Sequence, residues 1–207
     1  MRIIAIPLGP LDTNCYVAHS DEEAVVIDPG GSPEKVTAYL DKHRLTLTRI
    51  LLSHLHFDHT YGVAALAGAT GAPVLASPKD GFLLEGEGGK GGMWGLPLVE
   101  AYTYDPLTPG RYDFLGLPWD VLATPGHTPG GLSFFLPAAR SLFSGDALFR
   151  RSIGRTDFPG SDHEQLIASI KNVLFALPDD TVVYPGHGDA TSIGDEKRNN
   201  PYVSDFV

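Results

Sequence analysis

The sequence predicts a protein of the α/β (α+β) class in which two β-sheets pack face to face and are flanked by helices. Short apolar runs that end in turn residues recur in both halves of the 207-residue chain, and helix signals lie between them. The 24 glycines and 17 prolines follow no repeat period, which is typical of tight loops between short elements. No low-complexity linker separates the halves, so we predict a single domain over residues 1–207.

Strands are predicted wherever a short apolar run is bounded by turn residues. Those of the first half lie at residues 2–6, 15–18, 24–27, 50–52 and 73–76, and those of the second half at 119–123, 132–136, 142–144 and 182–184. Antiparallel pairing is the simplest arrangement for the first three, because only short turns separate them. The third ends at the turn sequence DPGG, residues 28–31.

Helices are predicted from capping residues and from periodicity. The first has Ser32 as its N-cap and Pro33 at the first helical position, and it ends near His43. Shorter helical segments are predicted at residues 62–68 and 78–84. A longer amphipathic helix runs from residue 161 or 162 to about 177, because its apolar residues fall on one stripe.

Charge and composition exclude several classes of function. The chain has 15 Lys and Arg against 25 Asp and Glu, and the net charge of -10 repels nucleic-acid phosphates and anionic lipids. No apolar stretch reaches the roughly 18 residues of a membrane span, so we expect neither a nucleic-acid nor a membrane partner. The single cysteine, Cys15, cannot form an internal disulfide and is expected in the core, and the apolar N-terminus is interrupted at Pro7. These features predict a cytoplasmic protein.

The positions of the histidines predict a metal site. Five of the eight follow apolar strand-like runs directly, in the sequences LLSHLHFDH, VLATPGHT and VVYPGHG, and a fourth run, SLFSGD, ends in an aspartate. Strand ends that each present a histidine or an aspartate are expected to converge on one site. The candidate ligands are His54, His56, Asp58, His59, His127, Asp146 and His187.

The first four candidate ligands are expected on a strand-exit loop. On an α-helix, positions 54, 56, 58 and 59 would spread around most of the circumference. The other three histidines, His19, His43 and His163, have no such neighbours and are expected to be ordinary surface or helix residues.

This set of motifs resembles the metallo-β-lactamase superfamily, and the resemblance extends over nearly the whole chain. It implies a four-layer αββα sandwich of two mixed β-sheets flanked by helices, with the metals at one edge. It also implies two metal sites bridged by Asp146. The first would be His54, His56 and His127, and the second Asp58, His59 and His187.

Within the superfamily the chain is most similar to the short bacterial branch of the glyoxalase II group. That similarity, carried by Gly145-Asp146 and by residues 154–158 and 186–188, implies hydrolysis of a thioester such as S-lactoylglutathione. Arg155 matches the position of a substrate-binding lysine, whereas Asp157 and Asp189 stand where tyrosines are expected. Residues 154–158 are also similar to the persulfide dioxygenases, which hold one iron. The alternative function is therefore oxidation of glutathione persulfide by a mononuclear iron site.

The donor types indicate the cofactor and the chemistry. Imidazoles and carboxylates without thiolates suit Zn²⁺, Fe²⁺ or Mn²⁺, so we predict two divalent ions of one of these metals per chain. Two such ions lower the pKa of a water held between them from about 16 to about 7 and supply a hydroxide nucleophile at neutral pH. Asp58 is expected to bind the second ion and to orient this nucleophile, which makes it the candidate catalytic residue.

Residues near the candidate ligands are expected to bind a small anionic thioester or a glutathione-derived substrate. Arg150, Arg151 and Arg155 lie within six residues of one another, just past Asp146, and can attract a carboxylate. The alternative is ion pairing with Asp157, Asp162 or Glu164. Apolar walls are predicted at Tyr61, Phe149 and Trp94, and the glycine-rich residues 85–95 are predicted to form a mobile surface loop that acts as a lid. The candidate substrate-binding residues are Arg155, Arg150 and Tyr61.

Overall fold

A computed structural model describes residues 1–92 and 95–203 of the chain. The chain divides into two compact units, Met1–Leu107 and Thr108–Val207. Each unit contains one six-stranded mixed sheet together with helices, as predicted for the α/β class. A single domain over residues 1–207 stays a prediction.

The sheet of the first unit has the strand order β1-β2-β3-β4-β5-β6. Its strands are β1 (Arg2–Leu8), β2 (Thr13–His19), β3 (Glu23–Ile27), β4 (Thr46–Leu51), β5 (Val74–Ala76) and β6 (Asp105–Pro106). The first three pair in antiparallel fashion, as predicted, and the pairs from β3 to β6 are parallel. Because β3 and β4 are parallel, both end at the same edge of the sheet, and the segments after Ile27 and Leu51 begin there.

The helices of the first unit are short. They are α1 (Glu34–His43), α2 (Phe57–Thr60), α3 (Val63–Thr70), a 3₁₀ helix (Pro78–Glu85) and α4 (Glu87–Lys90). The prediction of Ser32 as the N-cap is wrong, because its hydroxyl donates to the Glu34 carboxylate and the helix begins without a side-chain cap. The predicted loop at 85–95 is wrong in part, since Glu87–Lys90 form a helical turn. Met93 and Trp94 lie outside the described residues.

The core of the first unit is apolar and fully buried at its centre. Val17, Val26 and Ile50 lie on three neighbouring strands with no exposed surface, and Val36 of α1 packs with them. Cys15 belongs to the same cluster, which confirms its predicted core position. Burial raises the pKa of the Cys15 thiol well above its ordinary value, so the thiol is protonated at neutral pH and is a poor nucleophile.

The sheet of the second unit has the strand order β14-β13-β10-β9-β8-β7. Its strands are β7 (Gly110–Phe114), β8 (Leu117–Ala123), β9 (Leu132–Leu136), β10 (Ser141–Gly145), β13 (Val182–Pro185) and β14 (Thr191–Ser192). The pair β10–β13 is parallel and the others are antiparallel. A separate two-stranded hairpin follows β10, formed by β11 (Leu148–Phe149) and β12 (Ser152–Ile153).

The described part of the second unit contains two α-helices. α5 (His163–Asn172) begins at Asp162, whose carboxylate accepts a hydrogen bond of 3.0 Å from the Gln165 amide. The predicted extension to residue 177 is wrong in part, because the chain tightens into a 3₁₀ helix at Leu174–Ala176 and Leu177 is extended before Pro178. α6 (Ile193–Asn199) was not predicted, since only Ile193 of its seven residues is a large apolar residue.

No helix among the described residues is long and apolar enough to cross a bilayer. The cytoplasmic location stays a prediction.

Candidate metal centre

Four of the candidate ligands lie just beyond β4 in the first unit. His54, His56, Asp58 and His59 are all buried, with exposed fractions of 8% or less. His54 and His56 lie in an irregular segment, whereas Asp58 and His59 lie on α2, which begins at Phe57. The prediction of one strand-exit loop is therefore correct for the first pair and wrong for the second. The helical turn arises because the His59 amide donates to the His56 carbonyl at 3.0 Å.

Asp28 holds this segment from the neighbouring strand. It follows β3, is 2% exposed, and accepts three hydrogen bonds. Its Oδ1 accepts from the Ser53 amide at 2.7 Å, and its Oδ2 accepts from the Ser53 hydroxyl at 2.6 Å and from His59 Nδ1 at 3.0 Å. Sequence reasoning missed Asp28, which was assigned only to a turn. The available signal was an aspartate at the end of an apolar strand, the same position that the predicted ligands occupy.

The acceptor chemistry of Asp28 sets the tautomers of two histidines. A carboxylate only accepts, so His59 Nδ1 carries the proton and His59 Nε2 carries the lone pair. The Ser53 hydroxyl has one proton, which it donates to Asp28, and His54 Nδ1 lies 3.0 Å from the same oxygen. His54 Nδ1 therefore donates to Ser53, and His54 Nε2 also carries a lone pair. Both rings are in the form that binds a metal through Nε2.

Asp58 is held in place by the backbone around it. Its Oδ2 accepts a long hydrogen bond of 3.4 Å from the Thr13 hydroxyl and lies 3.7 Å from His59 Nε2. Gly30 packs directly against it, because a Cβ at position 30 would lie 1.9 Å from the Asp58 carbonyl oxygen. Only glycine allows this approach, so the DPGG turn supports the Asp58 backbone as well as the His59 ring.

The second unit carries the other three candidate ligands, each at the end of a strand. His127 follows β8, Asp146 follows β10 and His187 follows β13. His127 Nε2 and His187 Nε2 lie 3.6 Å and 3.7 Å from Asp146 Oδ2. Donor atoms on one tetrahedral ion with bonds of about 2.0–2.1 Å are about 3.4 Å apart. One carboxylate oxygen is therefore at ligand spacing from both imidazoles.

The orientation of His127 is set by a backbone carbonyl. His127 Nδ1 lies 2.8 Å from the Arg155 carbonyl oxygen, which can only accept, so Nδ1 donates and Nε2 carries the lone pair. The preceding residue, Gly154, packs against the Asp146 backbone, because a Cβ there would lie 1.9 Å from the Asp146 carbonyl oxygen. The segment that begins at Asp146 therefore returns to it, and its last carbonyl orients His127.

The donor set fits divalent metal ions. All seven predicted ligands belong to groups of histidine and aspartate side chains whose donor types are consistent with a dinuclear metal site. The division of these ligands between two ions stays a prediction. Within the described residues, none of the groups includes His19, His43 or His163.

His19 departs from its predicted surface position. It is 2% exposed, its Nε2 lies 2.9 Å from the Tyr39 hydroxyl and its Nδ1 lies 2.6 Å from the Ser20 carbonyl oxygen. His19 is therefore a buried structural histidine of the first unit.

Arg155 is exposed and firmly oriented. Its Nε and Nη2 donate to the two Asp157 oxygens at 2.9 Å and 2.7 Å, and its guanidinium lies 4.5 Å from the centre of the Phe158 ring. This pairing holds the pKa of the Asp157 carboxyl below its ordinary value. The Phe158 ring lies 6.0 Å from the His127 ring, and the Arg155 carbonyl orients the same histidine.

The other two arginines have partners that differ from the predicted ones. Arg150 Nη1 lies 3.0 Å from Asp189 Oδ2, and both side chains are exposed. Arg151 is bound by Asp195 and Glu196 of α6. The predicted pairing of these two arginines with Asp157, Asp162 or Glu164 is therefore wrong. Arg151 is paired with α6, and its side chain is 40% exposed.

Aromatic residues lie near ligands in each unit, and their role as apolar walls stays a prediction. The Tyr61 ring packs edge-on against Phe57, the residue before Asp58, and its hydroxyl donates to the Pro97 carbonyl. Desolvation and the charge of Asp58 raise the pKa of Tyr61. The Phe149 ring lies 6.3 Å from the His187 ring. The third predicted wall residue, Trp94, lies outside the described residues.

The fold and the donor set define the class of protein. The model of the metallo-β-lactamase superfamily matches residues 8–187, and the chain belongs to this superfamily. It is a metallo-hydrolase with a histidine-rich site of dinuclear type.

Particular relatives are similar over their full length. Hydroxyacylglutathione hydrolase GloC of Haemophilus influenzae is 38% identical over 209 residues, which cover 99% of each chain. The crystal structure of BLEG-1 B3 metallo-β-lactamase superimposes with a TM-score of 0.92 at 40% identity, covering 98% of this chain and 99% of that one. TTHA1623 in a di-iron-bound form gives a TM-score of 0.88 at 42% identity, covering 97% and 100%. These structural matches confirm the predicted metallo-β-lactamase fold.

Proposed function

We propose that this protein hydrolyses the thioester of a small anionic substrate such as S-lactoylglutathione, using two divalent ions of Zn, Fe or Mn. The observation that carries the proposal is the similarity to GloC over 99% of both chains, together with a full set of seven candidate ligands. The di-iron form of TTHA1623 supports a dinuclear site. The buried, protonated Cys15 thiol offers no protein nucleophile in its place.

The metal ions and the histidines of the chain have different roles in the proposed reaction. The ions, when bound, supply a nucleophile from water at neutral pH and polarise the thioester carbonyl. His54, His59 and His127 present Nε2 lone pairs because their Nδ1 protons are held by Ser53, Asp28 and the Arg155 carbonyl. These hydrogen bonds fix the ring orientations before any ligand arrives.

Asp58 is the proposed catalytic residue. A carboxylate has about four lone-pair sites, so Asp58 can accept from Thr13, contact an ion and still orient the O–H of a water molecule. Its burial and the packing of Gly30 against its backbone restrict the carboxylate to one position. Such a fixed acceptor lowers the reorganisation needed in the transition state.

Recognition of the anionic part of the substrate is assigned to Arg155, with Arg150 and Tyr61 as further contacts. Asp157 occupies Nε and Nη2 of Arg155, and the Phe158 ring lies against the guanidinium. An arginine has five N–H donors, so Nη1 and the second Nη2 proton can still bind a carboxylate in a forked geometry.

Replacing Arg155 by methionine is expected to raise KM for S-lactoylglutathione by about tenfold and to change kcat little, because charge-assisted hydrogen bonding to the substrate carboxylate is lost. Methionine keeps an apolar stem against Phe158. The measurement is steady-state kinetics with this thioester and with an uncharged thioester of the same acyl group. An equal rise in KM for both substrates would show that Arg155 does not recognise the substrate carboxylate. Arg111→Met, which breaks an exposed ion pair with Asp120, is the control.

The function is tested with purified protein reconstituted with Zn²⁺, Fe²⁺ or Mn²⁺ under anaerobic conditions. Turnover of S-lactoylglutathione that is lost in His127→Ala and kept in His163→Ala is the expected result, since His163 lies outside the metal groups. No thioester turnover from protein verified to hold two ions would reject the proposal. A cephalosporin is included in the same assay because BLEG-1 is a metallo-β-lactamase.

The second candidate is a mononuclear-iron dioxygenase acting on glutathione persulfide. It is favoured by the similarity of residues 154–158 to the persulfide dioxygenases. One iron per chain with persulfide-dependent consumption of O₂ would establish it in place of the hydrolase.

A further inference from the structure

The α6 helix carries a buried carboxylate that takes no part in the proposed chemistry. Glu196 has no exposed surface. Its Oε2 accepts from the Arg151 amide and from Asn200 Nδ2, both at 2.9 Å. Its Oε1 accepts from Arg151 Nη1 at 2.7 Å and from the Thr191 hydroxyl at 2.6 Å. Four donors converge on one anion, which offsets the cost of burying its charge.

Most of these donors belong to, or are tied to, the turn of the β11–β12 hairpin. Arg151 is bound through both its backbone amide and its guanidinium, and it has a positive φ of 60°. This backbone conformation is uncommon for a residue other than glycine and persists only where its surroundings impose it. Asn200 Nδ2 uses its second proton on the Ser152 carbonyl at 3.0 Å. Asn200 Nδ2 also lies 3.5 Å from the Phe149 carbonyl oxygen on β11, so α6 and the residue after it contact both strands and the turn of the hairpin.

The other end of the hairpin adjoins the candidate metal ligand Asp146 of the second unit. Asp146 lies immediately before it, and the Ser144 hydroxyl donates to the Leu148 carbonyl at 2.8 Å. At the exit, Gly154 packs on the Asp146 backbone, and the Arg155 carbonyl accepts from His127 Nδ1. A displacement of the hairpin would move the Asp146 carboxylate and the acceptor that fixes the tautomer of His127.

We infer that Glu196 is a positioning residue for the metal ligands Asp146 and His127, acting through the β11–β12 hairpin. This inference rests on the metal site of the proposed function. Partners beyond the direct ligands commonly alter metal affinity by about 10–100-fold when they are removed. Loosening the hairpin should therefore weaken the retention of metal while the sheet of the second unit stays folded.

The test measures zinc release from zinc-loaded protein into excess chelator, with no substrate present. Glu196→Met removes all four acceptor contacts without leaving a large cavity, and release is expected to be at least about tenfold faster than in the unaltered protein. Glu196→Gln keeps one acceptor oxygen, so its rate of zinc release should lie between the rates of the unaltered protein and of Glu196→Met. Lys197→Met, on the same helix as Glu196, is the matched control, because it breaks the ion pair between Lys197 and Asp179. It should release zinc within about twofold of the unaltered rate.

A second signal separates positioning from a general loss of stability. The visible absorption of the cobalt(II)-substituted protein should change in Glu196→Met and be partly restored in Glu196→Gln, because it reports the geometry of the ligands. A folded Glu196→Met variant with unaltered zinc release and cobalt spectrum would overturn the inference. If Glu196→Met does not fold, Asn200→Ala takes its place, since it releases the Ser152 carbonyl and leaves three contacts to Glu196 intact. Unaltered release in that variant would overturn the inference equally.

The inference and the proposed function fail in different ways. Zinc-loaded protein that hydrolyses no thioester would reject the proposed substrate and leave the role of Glu196 standing. Protein that hydrolyses the thioester while Glu196→Met keeps its zinc would reject the role of Glu196 alone. Protein that binds no zinc, iron or manganese would reject both.

Discussion

Replacing Asp58 by asparagine is expected to lower kcat for thioester hydrolysis by at least about 10³-fold, which corresponds to about 4 kcal/mol of transition-state stabilisation. Asparagine keeps the size of the side chain but removes its charge and one acceptor oxygen. The variant should lose metal affinity where Asp58 and His59 bind an ion, and it should lose the acceptor that orients the water.

The fold should tolerate this change. The Thr13 hydroxyl donates to Asp58 Oδ2 at 3.4 Å, and asparagine keeps an oxygen that can accept this hydrogen bond. Steady-state kinetics, metal content by mass spectrometry and thermal unfolding are measured together. Asp21→Asn, at an exposed turn, is the control for loss of one negative charge. Full activity with two bound ions in Asp58→Asn would show that Asp58 is neither ligand nor catalyst.

Asp28→Asn is expected to reduce zinc affinity by about 10–100-fold and to lower activity in proportion at limiting zinc. An asparagine that keeps the Ser53 amide on its oxygen must turn its NH₂ group toward His59 Nδ1 and the Ser53 hydroxyl. That NH₂ group donates, so His59 Nδ1 must become the acceptor and the ring proton moves to Nε2. A protonated Nε2 cannot bind a metal.

This effect is chemical and is not caused by backbone strain. Asp28 has a positive φ of 50°, a conformation that asparagine adopts as readily as aspartate. The measurement is zinc titration by chelator competition, with nitrogen-15 chemical shifts of the His59 ring as the report of its tautomer. Asp120→Asn, which removes a carboxylate paired with exposed Arg111, is the control. Unaltered zinc affinity with His59 still protonated at Nδ1 would contradict the role of Asp28.

Both substitutions change the same buried network at different points. Asp58 lies next to Nε2 of His59, and Asp28 accepts a hydrogen bond from Nδ1 of the same ring. Loss of either should affect His59, whereas Ser53→Ala removes the acceptor of His54 Nδ1 and one donor to Asp28 and leaves the hydrogen bond between Asp28 and His59 in place. Comparing the three variants separates the contribution of each partner, provided that all three fold.

The candidate ligands could be predicted because the signal is local. Each lies within a few residues of the end of a strand, and a run such as LLSHLHFDH carries both the strand and its ligands. The strands were found because apolar runs bounded by glycine and proline are themselves local patterns. The antiparallel pairing of β1, β2 and β3 could also be predicted from the sequence, since only short turns separate these strands. The helical turn at Asp58 was missed because four residues carry too little periodicity to reveal a helix.

The sequence by itself thus determined the class of the fold, the kind of metal site and the residue types that can form it. The tertiary structure alone decided what holds those residues, because the partners are far apart along the chain. Asp28 reaches His59 across 31 residues, and Glu196 reaches Arg151 across 45. Such contacts depend on which strands are neighbours and in which register. No local spacing records that information, so the tautomers of the histidines and the partners of Arg150 and Arg151 followed only from the folded chain.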